Sequence, residues 1–153
     1  MNTVELLSKS LQESRRLLSR AVRTCPVHEE ITPGWTVREV VIHITGWDLV
    51  VDRALQAYLQ EKPPYQLDNP DIDHSNQRMI ADRKEQPLEE ILEEWQRVRE
   101  SLLKTLSQLS ETDLAAFRPY PWDERGTLGE MVGILAEHER WHAEEIINTM
   151  DSS

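Results

Sequence analysis

Cysteine is almost missing from this chain: Cys25 stands alone among 153 residues, so no disulfide can form within it, which suits a reducing cytoplasm. Basic residues are scarce as well. Seventeen Lys and Arg against 28 Asp and Glu leave a formal charge of −11, and no basic stripe offsets it locally. Such a field repels phosphate backbones and anionic lipid, so neither nucleic acid nor a membrane is expected as a partner. No apolar run approaches the roughly 20 residues that cross a bilayer. Met1 leads into Asn2, Thr3 and Glu5 rather than a basic and then apolar leader, so no signal peptide is expected. There are only five glycines, and most of the eight prolines gather around residues 63–70 and 119–121. What remains is a helix-friendly chain of a length that suits one domain spanning 1–153.

Four long segments carry helical periodicity. The first runs from about Val4 to Thr24, with Leu7, Leu11, Leu18 and Ala21 sharing a face, and Cys25-Pro26 stops it. The second opens on Thr36-Val37-Arg38-Glu39, where the Thr hydroxyl and Glu carboxylate can satisfy free N–H groups at a helix start. Its apolar face reads Val37, Val40, Val41, Ile44, Trp47, Val51, Leu55, Tyr58, and Lys62-Pro63-Pro64 ends it. The connection over residues 60–86 is too long to be structureless, and a short helix is predicted from Ile72 or Asp73 to Lys84. A third long helix begins near Pro87 with the stripe Leu88, Ile91, Trp95, Val98, Leu102, Leu106, Leu109. A loop rich in proline and aromatics, residues 117–122, precedes a second capping pattern, Thr127-Leu128-Gly129-Glu130, which opens a fourth helix reaching about Met150. The expected architecture is an all-α four-helix bundle in which a long crossover with a short helix lets helices two and three run parallel.

On the fourth helix the stripe is Leu128, Met131, Leu135, His138, His142, Ile146. His138 and His142 therefore project, one turn apart, near the middle of the face that should be buried. A single core histidine is ordinarily hydrogen-bonded to a neighbour. Two stacked together need partners for four ring nitrogens, and one metal ion would satisfy a nitrogen of each. His43 lies on the flank of the second helix's stripe beside Val40, Trp47 and Val50, and by itself reads as an interface histidine.

The stretch Gly34-Trp35-Thr36-Val37-Arg38-Glu39-Val40-Val41-Ile42-His43-Ile44-Thr45-Gly46-Trp47-Asp48 resembles the helix-two signature of the DinB-like superfamily. Thr127-Leu128-Gly129-Glu130 followed by Glu137-His138-Glu139-Arg140-Trp141-His142 resembles its helix-four signature. Asp73-His74-Ser75-Asn76 and the helix start Pro87-Leu88-Glu89-Glu90 resemble the ClbS/DfsB-like branch. The resemblance implies an up-down-down-up bundle and a three-histidine metal site, which by position is His43, His138 and His142. The chain departs from the pattern where many members carry two adjacent histidines before an Arg-Gly-Gln-Ile-like stretch. Trp141 replaces the first, and Ala143-Glu144-Glu145-Ile146 follows, which brings Glu145 near the site as a residue able to orient a ligand or act as a base.

Three neutral imidazoles leave a divalent ion its full charge and an open position, the layout of a catalytic rather than a structural zinc site. Zinc and nickel are the first expectations, although imidazole also suits iron and copper. The resemblance implies hydrolysis of a small electrophilic molecule by metal-bound water, or transfer of a low-molecular-weight thiol. A bundle that sequesters a small molecule or toxin, and one whose histidines are residual, are the competing readings. Trp47 and Asp48 follow His43 by one turn or slightly more and are expected near the site, with Trp122 in a loop able to cover its entrance. Packing is the alternative for Trp47, capping or ion pairing for Asp48, and plugging a bundle end for Trp122 and Tyr120. His28 and His74 read as exposed, although His74 would approach the site if the crossover folded over it. Exposed apolar residues on helices one and three would permit a homodimer.

Overall fold

The computed structural model describes residues 2–32 and 35–151; Met1 of the leader reading and Gly34 of the helix-two signature lie outside the described residues. Helix α1 spans Thr3–Thr24, its first turn capped by Asn2, whose side chain accepts from the Glu5 N–H at 2.8 Å. It stops at Cys25, as expected of a residue before proline. Two short strands follow, β1 (Glu30–Thr32) and β2 (Trp35–Thr36), paired antiparallel. Thr36 then caps α2 (Val37–Leu59), and both halves of the capping box form with Glu39. The crossover carries α3 (Ile72–Asp82), capped by Asp71, and α4 spans Leu88–Leu106 behind Pro87. A single turn, α5 (Glu111–Leu114), leads to a second antiparallel pair, β3 (Phe117–Pro119) and β4 (Arg125–Thr127). The Thr127 hydroxyl accepts from the Glu130 N–H at 3.1 Å at the start of α6 (Leu128–Asp151).

Contacts at the helix ends give the directions. Arg38 at the start of α2 donates to the Gln86 carbonyl just before α4, and Tyr58 near the end of α2 donates to Asp113 beyond the end of α4 at 2.9 Å. These two helices therefore run the same way. Thr24 meets Met150 where α1 and α6 finish, so that pair is also parallel. Cys25 and Val37 share one apolar cluster beside the β1–β2 pair, and α2 runs opposite to α1. The order is up-down-down-up, as the resemblance implied, and the crossover lays α3 on α2.

The Met79 side chain of α3 lies over Gly46 of α2, and a Cβ there would overlap its thioether. With α4, α6 and α3 around it, α2 buries His43, Thr45, Asp48 and Asp52 beyond its expected stripe. The apolar core falls into two clusters. One gathers Leu11, Trp47, Leu102 and Leu135; the other gathers Leu18, Val40, Ile91 and Ile146.

Charge separates them. Arg99 on α4 makes a two-pronged bond to Asp48 on α2 (2.9 and 3.0 Å) and donates to Glu139 on α6 at 2.8 Å. Arg15 on α1 donates to Glu139 at 2.8 Å and to Asp48 at 3.2 Å, and Ser14 donates to Glu139 at 2.6 Å. Asp48, Arg99 and Glu139 are all buried. Burial alone would disfavour charge on Arg99, but Asp48 and Glu139 outweigh it and hold the guanidinium protonated above its usual range. Two cations and two anions thus join all four long helices in a balanced layer. Nothing in the sequence reading anticipated Glu139 or Arg99 in that role.

Candidate metal centre

Residues from α2 and α6 meet just beyond this layer. His43 and His142 Nε2 each lie 3.0 Å from His138 Nε2, and the three potential ligand nitrogens all fall within 4.8 Å of one another. His138 and His142 stand one turn apart as the i, i+4 spacing requires, and the capped start of α2 places His43 two turns in, opposite them. The rings meet edge to face, and the His43 and His142 Nδ1 atoms are buried without hydrogen-bond partners.

Hydrogen bonding among the rings cannot resolve this cluster. A neutral imidazole Nε2 offers one proton or one lone pair, yet His138 Nε2 faces two like nitrogens. Protonation is no remedy. Burial, then the neighbouring imidazoles, push the His43 pKa down to about 2; burial and His138 push His142 down to about 3, and burial lowers His138. Three converging lone pairs on neutral rings are a donor set that fits one divalent cation. Glu145, half-buried, holds a carboxylate oxygen 3.7 Å from His142 Nδ1.

The cluster opens on a pocket of about 280 Å³ whose walls include His43, His138, Trp47, Trp122, Asn76 and Leu135. Trp47 and Trp122 both line it and pack edge to face, ring centroids 5.6 Å apart. On the cluster's other side Trp35 stacks near His142 and meets His43 edge-on. Asp48 does not reach this pocket. It belongs to the charged layer, where its partners are Arg99 and Arg15, because one step beyond Trp47 turns it toward α4 and α1. His74 lines a different depression on the far side of α3, away from the triad. Asn76 is the residue that sequence reasoning missed; its Oδ1 accepts from Trp47 Nε1 at 2.7 Å. Its signal was present in the Asp73-His74-Ser75-Asn76 stretch, but a contact 29 residues distant depends on how the crossover folds back.

A helical bundle with three converging imidazoles, two buried and one half-buried, at the mouth of an aromatic pocket defines a class. Residues 10–146 match the DinB superfamily, and the chain belongs to it. A Bacillus mycoides (strain KBAB4) protein named "Putative metal-dependent hydrolase" is 28% identical, covering 94% of this chain and 85% of that one. The colibactin self-resistance protein ClbS, crystallised in complex with a double-stranded DNA, superposes with a TM-score of 0.79 at 16% identity, over 97% of this chain and 95% of that one. The mycothiol-dependent maleylpyruvate isomerase gives a TM-score of 0.79 at 11% identity; 94% of this chain covers 60% of that longer one. The two structural likenesses speak for the fold.

The ClbS complex overturns one expectation. Nucleic acid was excluded on the net charge of −11, yet a chain of this fold has been crystallised with DNA. Total charge describes the mean field at a distance, whereas a DNA contact is decided by local geometry, so the exclusion does not stand. For membranes, no helix among the described residues is long and apolar enough to cross one.

Proposed function

We propose that this chain is a divalent-metal-dependent enzyme acting on a small electrophilic molecule, with His43, His138 and His142 holding the ion through their Nε2 atoms. The convergence of those three nitrogens at the mouth of an apolar pocket carries the reading. The curated relative's name, which speaks of a metal-dependent hydrolase, points the same way. Zinc or nickel, when bound, would supply Lewis acidity and a water whose pKa falls toward neutrality. The protein's own part is positional. Burial keeps the imidazoles neutral and ready to ligate, Glu145 faces the outer nitrogen of His142 at 3.7 Å, and Trp35, Trp47 and Trp122 hold bulk water off. A low-molecular-weight thiol as second substrate is the companion reading, supported by the thiol-dependent isomerase of the same fold. Sequestration without turnover is the alternative, favoured by the likeness to a self-resistance protein.

The deciding experiment is metal content. Protein purified without a histidine tag is expected to carry about one zinc or nickel per chain, and His138→Ala to lose it; unchanged metal in that variant refutes the triad. With loading established, esters, epoxides and thiol–electrophile pairs are assayed. Turnover lost in His43→Ala supports an enzyme, and stoichiometric binding without turnover supports sequestration. A homodimer is proposed on the exposed Leu6 of α1, α4 having no exposed large apolar residue among those described, and is checked by sedimentation.

A further inference from the structure

The pocket beside the histidines is walled by Ile72, Trp47, Trp122, Ile134 and Leu135; Glu124 is the one charged residue in its lining, and no lysine or arginine is. Within it Asn76, on α3, is held in one orientation. An indole nitrogen only donates, so the amide atom 2.7 Å from Trp47 Nε1 is the oxygen, and the NH₂ group is the free end. Asn76 Nδ2 is thus a two-proton donor fixed in a wall that also holds His43 and His138. A ligand oxygen that reaches this group meets donors already held in place, so little ordering is left for binding to do.

We propose that Asn76 is the group by which this pocket recognises a carbonyl-type oxygen on a small, predominantly apolar molecule, with Trp47 locking the amide so that its N–H bonds point at that oxygen. The proposal rests on the pocket being the substrate site of the reading above, but not on a metal. The apolar walls select the body of the molecule, and a carboxylate would find no cationic side chain among the lining residues. The tight seat of Met79 on Gly46 fixes α3, and with it Asn76, against α2.

Benzamide and toluene serve as probes, matched in apolar body and differing in the oxygen. Each is titrated into EDTA-treated protein while the Trp47 indole N–H resonance is followed, that signal being assigned with Trp47→Phe. Benzamide is expected to shift the resonance saturably. Asn76→Ala is expected to weaken benzamide by about threefold or more, the worth of a neutral hydrogen bond, and to leave toluene within about twofold. Asn76→Asp keeps the acceptor for Trp47 but removes the donors, and is expected to weaken benzamide at least as much. No benzamide response in the wild type overturns the proposal, as does an Asn76→Ala change below about threefold or an equal loss for toluene, which would mean a collapsed wall. Absent metal in the native protein would refute the metal reading and leave these outcomes unaltered.

Discussion

His138 and Glu139 are neighbours on α6, yet one joins a cluster that burial keeps neutral and the other a layer that burial tolerates only because charge is balanced. The neutral cluster has a consequence for acid stability. The folded pKa values of His43 (about 2) and His142 (about 3) lie below the ordinary 6.5, so below pH 6.5 the unfolded chain binds more protons than the folded one. Metal-free stability is therefore full above pH 6.5 and falls as pH drops from there, by about 1.4 kcal/mol per pH unit for each such histidine. Urea titrations of EDTA-treated protein between pH 7.5 and 5 should show this, with a shallower slope in His43→Gln; an unchanged slope would contradict neutral burial at His43. Glu145→Gln tests a finer point. Removing the charge 3.7 Å from His142 Nδ1 should weaken metal retention by about tenfold in a chelator competition without lowering thermal stability. At this scale the sequence was informative where spacing alone decides, as at His138 and His142. Asp48 was left open between the site and an ion pair because a helical wheel gives an angle but not the neighbour that angle meets. Glu139 escaped notice because its worth lies in two arginines far off in the chain.

The elements were legible where local chemistry sets them. Thr36 with Glu39, Pro26 and Pro87 marked helix boundaries that the structure reproduces within a residue or two, and the crossover helix falls inside its expected range but ends at Asp82 rather than Lys84. The two hairpins were not legible: strands of two or three residues have no alternation to read, and tertiary placement of the flanking helices brings them together. Thr36→Ala removes the half of the capping box in which the Thr36 hydroxyl accepts from the Glu39 N–H, leaves the Thr36 backbone N–H bonded to the Glu39 carboxylate, and should cost about 1 kcal/mol, seen as a lower urea midpoint with an unchanged m-value. Gly46 bears on α3 alone. Gly46→Val drives a branched side chain into the space Met79 occupies, so hydrogen exchange should quicken in α3 while α6 keeps its protection. Equal loosening of both helices would mean that α3 is not separately seated.

Across the whole molecule, two apolar clusters supply cohesion and the charged layer between them supplies register. Apolar faces alone tolerate sliding by a turn, whereas Arg99 can reach Asp48, Glu139 and the Leu11 carbonyl only in one alignment of the four long helices. His43 approaches the α6 histidines only in that alignment, which makes the layer a support for the triad although it touches no imidazole. Such layers are seldom the most stable choice, because desolvating the ions costs about what their attraction returns. Arg99→Met should lower stability by about 3–5 kcal/mol, since Arg15 alone then faces two buried carboxylates. Adding Asp48→Leu removes the surplus anion and leaves Arg15 with Glu139, so most of that stability should return. Register is the part that should not return. In the double variant the five tryptophan indole resonances are expected to broaden or multiply and metal retention to fall, even with the urea midpoint recovered. A double variant that is stable, gives single sharp indole lines and retains metal like the wild type would show that the apolar clusters set the alignment by themselves.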